Sequence, residues 1–321
     1  MSIAVWPAVS PDELRLKAAA TQERELEWIV EETLEICRNL KHNLDDCYAL
    51  LAPIDPGSTL VMSTPRNEKV KGTLTRVGTR IVKGSLHLQL RTIPAFTLSV
   101  SQSDVIHIHA LDSLHTHLTQ AIDLLSITLS KPQDPRSLAS TLALLADSLT
   151  DSSALLKGPP LTEADPGWVA SSCPAYHFQP PPGPNFSFYI GLQESSIVLW
   201  LRTVEPTDAP VHLSTKLGLA IGTFRRLEHD EMDSIFNYHI KGSDTGEPRP
   251  RSARHTPEPR SSPPMFGNGR DVQEVWVREK VRVESADPSL ISLQSKLGFL
   301  SHILSQARRN LSAVMGVDSE D

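Results

Sequence analysis

From Leu290 onward the apolar residues recur at Leu293, Leu297, Leu300, Leu304, Ala307, Leu311 and Val314, an unbroken alternation of threes and fours. That spacing holds one stripe against a neighbouring helix over roughly 40 Å. Asp287 and Pro288 supply the start signal, a capping carboxylate followed by a proline where no amide hydrogen is needed. A stripe this long commits its helix to packed partners, and the rest of the chain supplies three candidates.

The first candidate opens at Ser10-Pro11-Asp12-Glu13 and runs to about Leu51. Its stripe reads Leu26, Ile29, Thr33, Ile36, Leu40, Leu44, Cys47, Leu51, with one slip near Asn43. Glutamates crowd its first half and make a negative face. Two more helices follow in the middle of the chain. Leu111, Leu114, Leu118, Ile122, Leu125 and Leu129 mark one; Leu138, Leu142, Leu145, Leu149 and Leu156 mark the other. Lys131-Pro132 separates them, and Gly158-Pro159-Pro160 ends the second.

Between these helices the period changes to two. Val70–Leu74, Leu86–Leu90, Phe96–Val100 and Val105–His109 read as short half-buried strands. After a proline-dense loop, Phe186–Ile190, Ile197–Leu201, Ile235–Ile240 and the alternating Val275, Val277, Val281 and Val283 read as a second strand block. Residues 241–271 are rich in proline, arginine, serine and glycine and almost devoid of apolar side chains, so they are expected to be a disordered loop. Thr256-Pro257 and Ser262-Pro263 within it fit proline-directed kinases.

The order helix, strands, two helices, strands, helix predicts an α+β chain with two discontinuous domains. Residues 10–52, 111–157 and 287–316 form an antiparallel, leucine-zipper-like helical bundle. Residues 58–110 and 168–285 form a separate, mainly antiparallel β-sheet domain to which both strand blocks contribute, and the molecule is expected to be elongated.

Composition narrows the functional classes. A net charge of −7 over 321 residues argues against a dedicated nucleic-acid binder. Three cysteines, Cys37, Cys47 and Cys173, do not make a disulfide framework, which points to a reducing compartment. Cys37 and Cys47 lie about 15 Å apart along one helix and cannot bridge. No secretory signal and no run of ~20 apolar residues is present, so a cytoplasmic location is expected, with membrane association only indirect.

Chemistry-bearing constellations are sparse. His107 and His109 alternate on one predicted strand face, a spacing that suits zinc, with His115 and His117 close behind. On a helix the latter two point about 200° apart and cannot share a metal. Cys173 and His177 lack the context of a nucleophilic pair, and Glu31-Glu32 and Asp45-Asp46 read as solvated helix face. Phosphate loops, nucleophile elbows and zinc-helix motifs are missing. The expectation is therefore a chain with no catalytic, cofactor-binding or metal-binding residues, no cofactor and no enzymatic activity. Two alternatives stand beside it: a metal-dependent enzyme around His107 and His109, and a homodimeric zipper scaffold of an unrelated pathway. The terminal helix has no acids to pair its Lys296 and Arg308 in a second copy, which disfavours the zipper.

Glu27-Trp28-Ile29-Val30-Glu31-Glu32, Val70-Lys71-Gly72-Thr73-Leu74 and His117-Leu118-Thr119-Gln120-Ala121-Ile122-Asp123-Leu124-Leu125 stand in a fixed order. Phe188-Tyr189-Ile190, the Ile197–Leu201 strand and the final leucine-rich helix follow. In this order the chain resembles the Rogdi family, also called subunit 2 of the RAVE complex (regulator of the ATPase of vacuoles and endosomes). The resemblance implies a helical bundle beside a sheet domain and a non-catalytic assembly factor. Its implied partners are the large propeller-containing RAVE subunit, a Skp-type adaptor in fungi, and the peripheral catalytic sector of the V-type proton ATPase. Reassembly of that pump, and so organelle acidification, is the implied role, with recruitment to vacuolar and endosomal membranes. The 241–271 tract departs from shorter relatives and gains no role from the resemblance.

Overall fold

The structure, a computed structural model, describes residues 10–51, 57–131, 134–159, 171–206, 236–239 and 272–316. The expected disordered loop at 241–271, with its Thr256-Pro257 and Ser262-Pro263 pairs, lies outside them. The fold is α+β, and the described residues divide into a helical unit and a strand unit.

Four helices build the first: α1 (Pro11–Leu51), α2 (His109–Leu129), α3 (Pro135–Lys157) and α4 (Pro288–Met315). Local chemistry sets their ends. Ser10 Oγ accepts a hydrogen bond from the Glu13 amide at 3.2 Å, closing the start of α1. The Asp134 carboxylate does the same for α3, taking the Arg136 amide at 3.2 Å. Gly158, at φ +74°, supplies the left-handed turn that stops α3.

Packing follows a ring: α1 lies on α2 and α4, and α3 lies on α2 and α4. Three contacts fix the directions. Tyr48 near the end of α1 meets His115 near the start of α2, its hydroxyl 3.1 Å from Nε2. Ser148 late in α3 donates to the His117 carbonyl early in α2. Lys296 early in α4 reaches Asp46 late in α1 at 2.8 Å. Every neighbouring pair is therefore antiparallel.

The core is the set of seams. Leu290, Leu293, Leu297, Leu300, Leu304, Ala307 and Leu311 of α4 are buried, as the spacing predicts, and Val314 at the frayed end is half-buried. Leu138, Leu142, Leu145, Leu149 and Leu156 of the α3 stripe are buried, and Ser152 completes their alternation. Corrections fall on the other two helices. Cys37, not Ile36, fills the α1 core, so the slip moves up to Ile29–Thr33–Cys37 and the lower seam runs without a break. In α2 the buried residues are Ala121 and Thr128 rather than Ile122 and Leu129, giving a strict 3-4-3-4-3 seam. Small side chains take these positions because closely packed helices leave little room there. The buried hydroxyls of Thr33 and Thr128 donate to carbonyls four residues back and so remain satisfied.

The strand unit holds two sheets. The first comprises β1 (Ser58–Ser63), β2 (Val70–Val77), β3 (Arg80–Leu88), β4 (Phe96–Val100), β5 (Ile106–His107) and β6 (Phe178–Gln179), in the order β1-β2-β3-β4-β6 with β5 also on β3. The second comprises β7 (Phe186–Gln193), β8 (Ser196–Pro206), β9 (Phe236–His239) and β10 (Val272–Ala286), in the order β7-β8-β10-β9. All pairings are antiparallel. The second strand block lends β6 to the first sheet, so the chain does not add its strands to one growing edge. Gly72 of β2 sits where a Cβ would stand 2.0 Å from the Ser85 carbonyl, so only glycine lets β2 and β3 approach there.

Four charged side chains, Arg76, Arg202, Glu279 and Asp287, are buried among the described residues of this unit. Arg76 of β2 donates from Nε to Asp287 Oδ2 at 2.7 Å, and Ser58 of β1 donates to Oδ1 at 3.1 Å. The carboxylate expected as a helix start signal thus also anchors two strands. Arg202 of β8 donates to the Ser171 carbonyl and the Ser187 hydroxyl. Glu279 of β10 accepts from the amides of Arg91 and Thr92 and lies 3.5 Å from the Lys69 ammonium. Arg76 and Asp287 compensate each other, and Glu279 has the Lys69 ammonium beside it, which desolvation of these charges requires.

Candidate interaction surfaces

The histidine pair comes apart in the structure. The strand read as Val105–His109 is only Ile106–His107, and His109 is the first residue of α2. His107 is exposed at a strand end opposite Arg80, so the two imidazoles do not alternate on one strand face. The break comes from the sequence itself: the helical spacing of Leu111, Leu114 and Leu118 sets in two residues after His109. Among the described residues no three His, Cys, Asp or Glu side chains gather as a metal site. The shared strand face read for His107 and His109 is therefore corrected: one residue ends a strand and the other begins a helix.

The other titratable candidates have structural occupations. His115 bridges α2 to Tyr48 of α1, with ring centroids 5.1 Å apart. His177 turns its Nδ1 to the Asp104 carbonyl at 2.9 Å. Burial pushes the Cys173 thiol up to about 12, far from the range of a thiolate nucleophile. It does the same to Cys37 and Cys47, each raised to about 11 inside the bundle. Glu31, Glu32 and Asp45 are exposed on α1, as read from the sequence. Asp46 is used: the hydrogen bond and charge of Lys296 hold its carboxyl below the usual range.

What remains is surface. The stretch Pro11–Glu25 of α1 is exposed on every side, including Leu14 and Leu16, and Trp28 follows on the same helix. α4 carries exposed Ile291 and Phe299 opposite its leucine seam. In the strand unit a cavity of about 440 Å³ is walled by Ile93, Phe96, Phe186 and the prolines of the 180–184 loop. Phe96 and Phe186 meet edge to face there at 5.5 Å. Glu279, through the Arg91 and Thr92 amides, pins the segment that leads into this wall. Sequence reading did not single out the cavity or Glu279, although a break in the valine row of β10 marked the latter.

The model of the Rogdi leucine zipper containing protein family matches residues 25–312. The chain belongs to that family. The match begins within α1 and ends within α4, so it takes in every strand and both central helices. No curated protein gives a significant match to the chain. Among the described residues, no helix is long and apolar enough to cross a membrane.

Proposed function

We propose that this Rogdi-family chain is a non-catalytic scaffold subunit of a RAVE-like complex, one that promotes reassembly of the V-type proton ATPase and so organelle acidification. The observation that carries the reading is the family match, which spans the bundle and the strand unit together. The architecture supports it. The Cys37 and Cys47 thiols are held protonated by burial, His177 is bonded to the Asp104 carbonyl and Arg76 is ion-paired with Asp287, so these groups serve the fold. Long antiparallel helices with apolar residues on their outer faces suit a part that holds others in place.

On this reading the partners are the large propeller-containing subunit, a Skp-type adaptor and the peripheral catalytic sector of the pump. The chain works in the cytoplasm and reaches vacuolar and endosomal membranes through those partners. The test is removal of the chain from its native cell. The share of the peripheral sector recovered on vacuolar membranes should fall and return on re-expression. An unchanged share would rule the role out.

A further inference from the structure

The bundle uses one face of α4, and a second face is laid out with the same regularity. Ile291, Ser295, Gly298, His302, Ser305 and Arg309 follow a 4-3-4-3-4 spacing, and all six are exposed. Phe299 stands beside this lane at 59% exposure, and Ile291 is 46% exposed. Gly298 has open space where a Cβ would be, so the fold gives no reason for a helix-weakening glycine there. A second helix lying close against α4 would give one.

Charge selects the occupant. α4 contains Lys296, Arg308 and Arg309 and no Asp or Glu. Lys296 is engaged with Asp46 of α1, whereas Arg308 and Arg309 form no ion pair among the described residues. A second copy of α4 would bring only like charge. We propose that this outer face of α4 docks an amphipathic helix of a partner protein, apolar where it crosses Gly298 and Phe299 and acidic where it passes Arg308 and Arg309. The surface stands on α4 alone and holds whichever complex the chain enters.

The test uses the full chain and two synthetic helical peptides of about three heptads. Both carry the same leucine and alanine face; one is flanked by glutamates and the other by lysines. Fluorescence anisotropy should show saturable binding of the glutamate peptide, weakened about tenfold by Phe299→Asp and by the pair Arg308→Glu, Arg309→Glu, and weakened by added salt. The lysine peptide should bind only the doubly reversed variant. These residues are exposed, and an unchanged circular dichroism melt confirms that each variant folds. Equal binding of both peptides, binding indifferent to the substitutions, no binding, or a chain that dimerises through this face in light scattering would each overturn the proposal.

Discussion

Arg76 and Asp287 are 211 residues apart in the chain and form a fully buried ion pair, Nε to Oδ2 at 2.7 Å. Asp287 is the last residue before α4, so the pair ties the end of β10 to β2 in the first sheet. Asp287→Ala leaves the guanidinium buried without its counter-charge, and the expected cost is about 3–5 kcal/mol. Chemical denaturation of the two chains checks it. The pair replaced together by well-packed apolar residues should cost far less, because no buried charge is stranded.

The seam leucines and the outer leucines of the same bundle predict opposite outcomes. Leu297 is buried in the α4 seam, and Leu297→Ala should destabilise by about 2–5 kcal/mol through lost burial and a residual cavity. Leu16 lies on the exposed start of α1, and Leu16→Ala should fall within about 0.5 kcal/mol of the parent. Paired thermal melts decide both.

Gly298 sits in an exposed helix interior with room for a side chain. Gly298→Ala should therefore stabilise the isolated chain by about 1 kcal/mol, read as a higher melting temperature. A lower one would mean the glycine serves the bundle itself.

Burial holds the Cys37 and Cys47 thiols protonated up to about 11. Native chain at pH 8 should react slowly with a thiol reagent, and denaturant should release the reaction. Between the unfolded thiol value near 9 and the folded value the unfolded state binds fewer protons, so stability declines as pH rises through that window. Replacing both cysteines with alanine should flatten that decline.

The leucine stripes carried most of the bundle in plain view, since bulky apolar residues at helical spacing mark a buried face. They misplaced the core at Cys37, Ala121 and Thr128, because hydrophobic strength favours Ile36, Ile122 and Leu129 while close helix packing favours the smaller neighbour. Most strands were legible as strands, β1 and β6 were not, and partition into two sheets depends on pairings such as β6 with β4 that no local pattern encodes. Arg76 shares the inward parity of Val70 and Leu74, and Glu279 fills the vacant place in the row Val275, Val277, Val281, Val283. Both signals were present. Their meaning depended on partners far along the chain, Asp287 for one and Lys69 with the Arg91–Thr92 amides for the other. His109 shows the reverse case, where a two-residue alternation straddled the start of a helix.

Whether this chain holds a pump-assembly complex together is decided by affinity purification from the native organism in low salt, followed by mass spectrometry. The expected result is recovery of a large propeller-containing scaffold together with subunits of the peripheral sector of the V-type proton ATPase. Recovery of the chain with neither would contradict it.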